Sequence, residues 1–167
     1  LPDADAGCSL EASCDAGELE AFLKENAHKN YYVVAYVNCS IGVKALADVI
    51  VTSGNAVKIV SQAPEDRPIL FVPDQNLGAW VSRQLGRPLE LWNGACHVHM
   101  EFTRDQILAL KEKHPGVPVV AHPECMEAVR LLADHICSTE KMIPYCTENP
   151  AKSFIIVTES GIPVSYT

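Results

Sequence analysis

Two short apolar runs in this chain stop at polar side chains: Tyr36-Val-Asn38 ends the first and His122-Pro-Glu124 the second. In an open α/β sheet the ligand crevice lies outside the carboxyl ends of the strands, so side chains at these places are the ones a ligand would meet. Turn and capping chemistry accounts equally well for any one of them taken alone. Two hydroxyl-rich stretches, Thr52-Ser53-Gly54-Asn55 and Ser138-Thr139-Glu140-Lys141, each lead into a helical pattern. Unpaired first-turn N–H groups, the helix dipole and the hydroxyls together suit a phosphate or carboxylate, although simple capping explains most Ser/Thr starts.

Cysteine supplies a second kind of chemistry. The chain has 167 residues and seven cysteines, an odd number that excludes a closed set of internal disulfides. The chain as it stands opens with no charged-then-apolar segment, and the expectation is a reducing compartment in which thiols serve as core filler or metal ligands. Cys8 follows Ala-Gly and Cys96 follows Gly-Ala, small-residue turns that allow close approach of a bulky group. His97 and His99 follow Cys96, so a zinc site using Cys96, His99 and another thiol is one reading, without a CxxC pair to strengthen it. Cys39 and Cys125 begin helices, where thiolate pKa tends to fall. Cys14, Cys137 and Cys146 read as structural.

These residues need elements to position them, and an internal repeat supplies the plan. Residues 33–56 align without a gap to residues 119–142, an offset of 86, with nine of 24 positions identical, among them Val33/Val119, Cys39/Cys125 and Asp48/Asp134. Nearly the same offset pairs Ile69-Leu-Phe-Val-Pro-Asp74 with Phe154-Ile-Ile-Val-Thr-Glu159, and Cys8 and Cys96 stand 88 apart. Apolar positions are shared between the copies while strand-end residues differ, as if one scaffold carries two chemistries.

Each copy reads as alternating strands and helices. In the first, residues 32–37 form a strand, Ser40 caps a helix through Asp48, residues 49–52 form a second strand, and Ser53 caps a helix through Ser61. Ile69–Val72 is a third strand, and Asp74 caps a helix carrying Leu77, Trp80, Val81 and Leu85 that Gly86 stops. In the second copy the opening helix starts at Thr103 and carries Ile107, Leu108 and Leu110. Continuous apolar strands alternating with helices predict α/β units with parallel sheets covered on both faces, repeated three-layer α/β/α sandwiches. We place the units at 1–95 and 96–167. Tyr36, Asn38, Ser53, His99, His122, Glu124 and Thr139 are expected to face one shared cleft.

Composition narrows the function. With 48% hydrophobic and 20% charged residues the chain is an ordinary globular one. Its net charge of -8 disfavours a nucleic-acid partner, since that affinity comes from clustered Lys and Arg. No apolar run approaches the ~20 residues that span a bilayer, so no membrane association is expected.

Taken in order, AGCSLEASC (6–14), AYVNCS (35–40), VTSGNAVKIV (51–60), LFVPDQNLG (70–78), LWNGACHVH (91–99), HPEC (122–125) and ICSTEKM (136–142) resemble quinolinate synthase over nearly the whole chain. The resemblance implies an enzyme of de novo NAD biosynthesis that condenses iminoaspartate with dihydroxyacetone phosphate to quinolinate, with loss of phosphate and water. It implies three related α/β/α domains around a pseudo-threefold axis and a central [4Fe–4S] cluster. Three thiolates leave one iron open as a Lewis acid. Carried onto this chain, Cys8 and Cys96 match two cluster ligands. Tyr36, Asn38, Ser53, His99, His122, Glu124, Ser138 and Thr139 match substrate-binding positions, with Tyr36 and Glu124 assigned to proton transfer.

The same resemblance implies L-aspartate oxidase and iron–sulfur assembly proteins as partners, and a cytoplasmic setting, or a plastid in a photosynthetic eukaryote. An amino-terminal domain and a carboxy-terminal segment with the third cysteine, about one repeat beyond Cys96 at roughly position 184, are expected to be missing. These 167 residues are therefore expected not to hold a stable cluster alone. Cys137 and Glu140-Lys141 depart from the smaller residues usual beside the Ser-Thr pair. A zinc-dependent hydrolase using Cys96, His97 and His99, and a non-catalytic dicarboxylate- or phosphate-binding module, are the alternatives.

Overall fold

The structure, a computed structural model, describes residues 7 to 161. By contacts it divides into two compact units, Leu1–Cys96 and His97–Thr167. The first contains α1 (Ser9–Ala12), α2 (Ala16–Glu25), β1 (Tyr32–Tyr36), α3 (Ile41–Ala45), β2 (Val49–Val51), α4 (Ala56–Val60), β3 (Ile69–Val72), α5 (Gln75–Leu85) and β4 (Glu90–Leu91). The second contains α6 (His97–Met100), α7 (Arg104–Lys113), β5 (Val119–Ala121), α8 (Glu127–Arg130), β6 (His135–Ile136), α9 (Thr139–Glu148) and β7 (Ile155–Val157).

Both sheets are parallel, in the orders β2-β1-β3-β4 and β6-β5-β7. Their layers follow from the alternation of side chains along each strand. In the first unit Val34, Tyr36, Ile69 and Phe71 pack against Ala56 and Val60 of α4 and Leu77 and Val81 of α5. Val33, Ala35, Leu70 and Val72 face the other way, onto Leu19 of α2 and Val43 of α3. The second unit is built alike: Val119 and Ala121 meet Ile107 of α7 and Val129 of α8, while Val120 meets Met142 of α9. Each buried Val, Leu, Ile or Phe contributes about 1.5–3 kcal/mol, so burial on both faces is what keeps such short strands in place. The result is an α/β class with parallel sheets and helices on both faces.

The repeat extends to hydrogen-bond register. The pairs Val34↔Val49 and Ala35↔Ile50 have as counterparts Val120↔His135 and Ala121↔Ile136. Val33↔Leu70 has Val119↔Ile155. Each unit carries an aspartate hook: Asp48 Oδ2 accepts from Val33 N–H and Asp134 Oδ2 from Val119 N–H, both at 2.8 Å. The aspartate N–H groups in turn donate to the carbonyls of Val33 and Val119 at 2.9 and 2.8 Å. Before the strands the repeat also holds, with α6 and α7 each starting and ending 88 residues after α1 and α2.

Several expected caps are present. Ser40 Oγ accepts from Val43 N–H, Asp74 Oδ1 from Leu77 N–H at 2.6 Å, and Thr103 forms a capping box with Gln106. Gly86, at φ 61°, adopts the left-handed conformation that ends α5. Two expectations are corrected. The helix from Ser40 ends at Ala45 and not Asp48, because Asp48 is taken by the hook on β1. Ser53 is not the cap of α4: that helix begins at Ala56 after Asn55, and the preceding turn is closed by Asn55 Oδ1 accepting from Thr52 N–H at 2.7 Å. On α7 only Ile107 is buried, while Leu108 and Leu110 are each 37% exposed.

Candidate active site

In the second unit the carboxyl end of β5 runs directly into His122-Pro123-Glu124, all buried. His122 N–H donates to Val157 O at 3.1 Å, extending the strand ladder by one residue, and Cys125 N–H closes a turn onto His122 O at 3.0 Å. That turn folds the Glu124 carboxylate back beside the histidine. Glu124 Oε2 lies 3.4 Å from His122 Nδ1 and 2.9 Å from Nδ1 of His99, which α6 delivers. The two imidazoles stack at 4.7 Å between centroids, 21° from parallel. Two further side chains brace the cluster. Arg130 Nη1 donates to Pro123 O at 2.6 Å, and Thr158 Oγ1 lies 3.1 Å from His99 Nε2.

Glu124 is 3% exposed. Burial acts to raise its pKa, but the electrostatic influence of the two imidazoles packed beside it, with Nδ1 of His122 and of His99 within 3.4 Å of Oε2, outweighs it and holds the carboxyl down at about 2. Glu124 is therefore a carboxylate at neutral pH, able to accept a proton. Its Oε1 is buried and has no hydrogen-bond partner among the described residues, an acceptor that costs stability unless a ligand satisfies it.

Beside β5, β6 ends at Ile136, and Ser138 stands at the cap position of α9 with Thr139 as its first residue. Ser138 Oγ makes no cap bond; it too is buried without a partner among the described residues. Because β5 and β6 are parallel neighbours, His122, Glu124, Ser138 and Thr139 share the carboxyl edge of one sheet.

The first unit uses the same edge. Tyr36 ends β1 and is buried, Asn38 just beyond is exposed, and Ser53 is half-buried in the turn after β2. β1 and β2 are paired at Tyr36↔Val51, so all three follow adjacent strand ends. After β3 comes Asp74, fully buried, whose Oδ2 accepts from Cys96 N–H at 3.0 Å. Gly94 bridges to the same aspartate, and a Cβ there would lie 2.3 Å from Ser13 Oγ and 2.5 Å from Pro73 O, a space only glycine fits. Trp92 Nε1 donates to Ser13 O at 2.9 Å, tying the Cys96 loop to the end of α1, and Leu10 of α1 shares a core cluster with Cys96.

The seven thiols differ in exposure and position. Cys8, at the cap position of α1, is exposed, and Cys96 is half-buried, as is Cys146 within α9. Burial pushes the Cys14 thiol up to about 12 and Cys137 up to about 11, and it also raises Cys39 and Cys146. Cys125 is fully buried, its Sγ 3.6 Å from Val157 O. Activation of Cys39 by its helix start is thus overruled by desolvation. A metal group needing thiolates at accessible backbone turns is fitted by Cys8 and Cys96 and not by the other five.

Comparison with known proteins decides the family. The sequence model described as quinolinate synthetase A protein matches residues 1–165. The chain belongs to that family. The quinolinate synthase of Prochlorococcus marinus (strain MIT 9303) is 52% identical over 162 residues, 97% of this chain and 48% of that protein. Those of Trichormus variabilis (strain ATCC 29413 / PCC 7937) and Nostoc sp. (strain PCC 7120 / SAG 25.82 / UTEX 2576) are each 49% identical over 162 residues, 97% of this chain and 49% of theirs. The chain spans about half the length of the curated relatives it matches.

Within this chain the structure also supplies residues that sequence reading passed over. Thr158, Arg130 and the second role of Asp74 are absent from every motif. Asp74 reads as a helix cap, which it is, but one carboxylate oxygen is left over for Cys96. Thr158 had a signal: a hydroxyl directly after an apolar strand, where the first copy has Pro73. No described helix is long and apolar enough to cross a membrane.

Proposed function

We propose that this chain carries substrate- and cluster-binding parts of a quinolinate synthase, which condenses iminoaspartate with dihydroxyacetone phosphate to quinolinate, releasing phosphate and water. The observation that carries the proposal is the buried His99–Glu124–His122 cluster with Glu124 Oε1 left as an unsatisfied acceptor. Both substrates bring what such a site lacks. An imine or enamine N–H can donate to Oε1, and carboxylate or phosphate oxygens can accept from Ser138 Oγ and from the first-turn N–H groups of α9.

Forming the pyridine ring requires several protons to leave carbon and nitrogen. Glu124, ionised and buried, takes the role of proton acceptor. Tyr36, a phenol at the end of β1, is the proposed proton carrier of the first unit, with Asn38 and Ser53 holding substrate oxygens. His99 and His122 keep Glu124 charged and aligned. Cys8 and Cys96 are the proposed protein ligands of a [4Fe–4S] cluster, which when bound supplies a Lewis-acidic iron. The reading keeps L-aspartate oxidase or iron–sulfur assembly proteins as partners and the cytoplasm or plastid as the setting.

Binding of the product tests the site independently of turnover. Quinolinate titrated into the ¹⁵N-labelled 167-residue chain is expected to shift the His99, His122 and Ser138 resonances saturably, and to lose that effect in Ser138→Ala. Saturable shifts confined to other parts of the chain, or none at all, would remove the cluster as a substrate site.

A further inference from the structure

The cluster leaves one contact without a role in the scheme above: Thr158 Oγ1, 3.1 Å from His99 Nε2, with both residues more than nine-tenths buried. The scaffold does not need this pair. In the first copy of the repeat, His99 is replaced by Glu11, which is exposed, and Thr158 by Pro73, whose ring carries no hydroxyl. The same two elements are therefore formed in the first unit without any such bond, and the pair exists only where a histidine cluster exists. We infer that Thr158 is a positioning residue, which fixes the His99 ring with Nδ1 turned to Glu124. The inference rests on the reading that the His99 cluster meets substrate.

The chemistry of the three groups explains why a hydroxyl stands there. His99 Nδ1 lies within ion-pair distance of Glu124 Oε2, at 2.9 Å, without the alignment of a hydrogen bond; because a carboxylate only accepts, its neighbourhood favours the ring with the hydrogen on Nδ1 in either charge state. Nε2 then presents a lone pair when the ring is neutral and an N–H when it is charged. Thr158 answers both, donating to the first and accepting from the second, because a hydroxyl does both. A fixed donor such as lysine or a fixed acceptor such as aspartate would favour one charge state. With the hydroxyl removed, buried Nε2 has lost this partner, and rotation or the opposite tautomer becomes competitive.

Long-range ¹H–¹⁵N NMR on the histidine-labelled 167-residue chain reads the tautomer directly and involves no substrate. Native protein and Thr158→Ser are expected to show His99 in a single state with Nδ1 protonated. Thr158→Val keeps the branched shape and removes the hydroxyl; it is expected to lose that single state, giving an Nε2-protonated ring or a mixture. The amide resonances of Val119–Ala121 report whether the variant is folded, and Thr158→Ala is read in the same way if Thr158→Val is not. An unchanged His99 signature in the folded Val or Ala variant overturns the inference, as does its loss in Thr158→Ser. Should the tautomer respond as expected while quinolinate leaves the cluster undisturbed, the positioning role stands and the substrate reading alone fails.

Discussion

Glu124 is a carboxyl buried beside two imidazoles, far from the environment of a free side chain. Its pKa in the folded protein lies at about 2, below the ordinary carboxyl value of 4.5. A depressed carboxyl pKa stabilises the fold above the unfolded pKa, and that stabilisation is lost as pH falls through the folded value. The window is therefore pH 4.5 down to about 2. Glu124→Gln removes the titrating group, so the stability difference between native protein and variant, measured by urea unfolding, is expected to narrow as pH is lowered across that window. The thiols offer a second test at this scale. Iodoacetamide labelling followed by peptide mass spectrometry is expected to modify Cys8 and Cys96 first, with Cys14 and Cys137 slower by at least tenfold because burial holds them protonated. Labelling of Cys14 at the rate of Cys8 would contradict the division. The strand-end residues and the two accessible cysteines were legible in the sequence, because a polar side chain after an apolar run and a thiol in a small-residue turn are local signals. Thr158 carried the same strand-end signal, but its partner lies 59 residues away, and Arg130 carried no such signal, its partner being the carbonyl 7 residues before it.

At the scale of elements, the repeat was visible where the chain must pack and hidden where it need not. Strands, their register and the caps at Ser40, Asp74 and Thr103 follow from apolar runs and capping side chains. The pair α2 and α7 escaped a gapless match, since the offset changes from 88 to 86 in the connection to the following strand, and surface connections tolerate such changes in length. Ser53 misled because a nearer side chain, Asn55, closes the turn first. The identity Asp48/Asp134 had no meaning in one dimension; in three it is the hook that holds the start of the central strand of each sheet. Asp134→Ala leaves the Val119 N–H without its acceptor and is expected to cost about 1–3 kcal/mol in urea unfolding, with Asp48→Ala costing a similar amount. A change below a few tenths of a kcal/mol in both would show that the hooks are incidental.

For the molecule as a whole, each unit presents polar side chains at the carboxyl edge of a parallel sheet, where strand ends and turns meet without disturbing the core. Tyr36, Asn38, Ser53 and the Cys96 loop occupy that edge in the first unit, and His122, Glu124, Ser138 and Thr139 in the second. Apolar positions repeat and edge positions diverge, which is how one scaffold comes to hold a phenol in one copy and a histidine–carboxylate cluster in the other. The most direct test of this account is quinolinate formation from iminoaspartate and dihydroxyacetone phosphate, measured after anaerobic iron–sulfur reconstitution of a longer polypeptide that contains these residues, native and with Glu124→Gln. The account predicts turnover in the native protein and a loss of about 10²–10⁴-fold in the variant at unchanged iron and sulfide content. Turnover in Glu124→Gln equal to that of the native protein would contradict it.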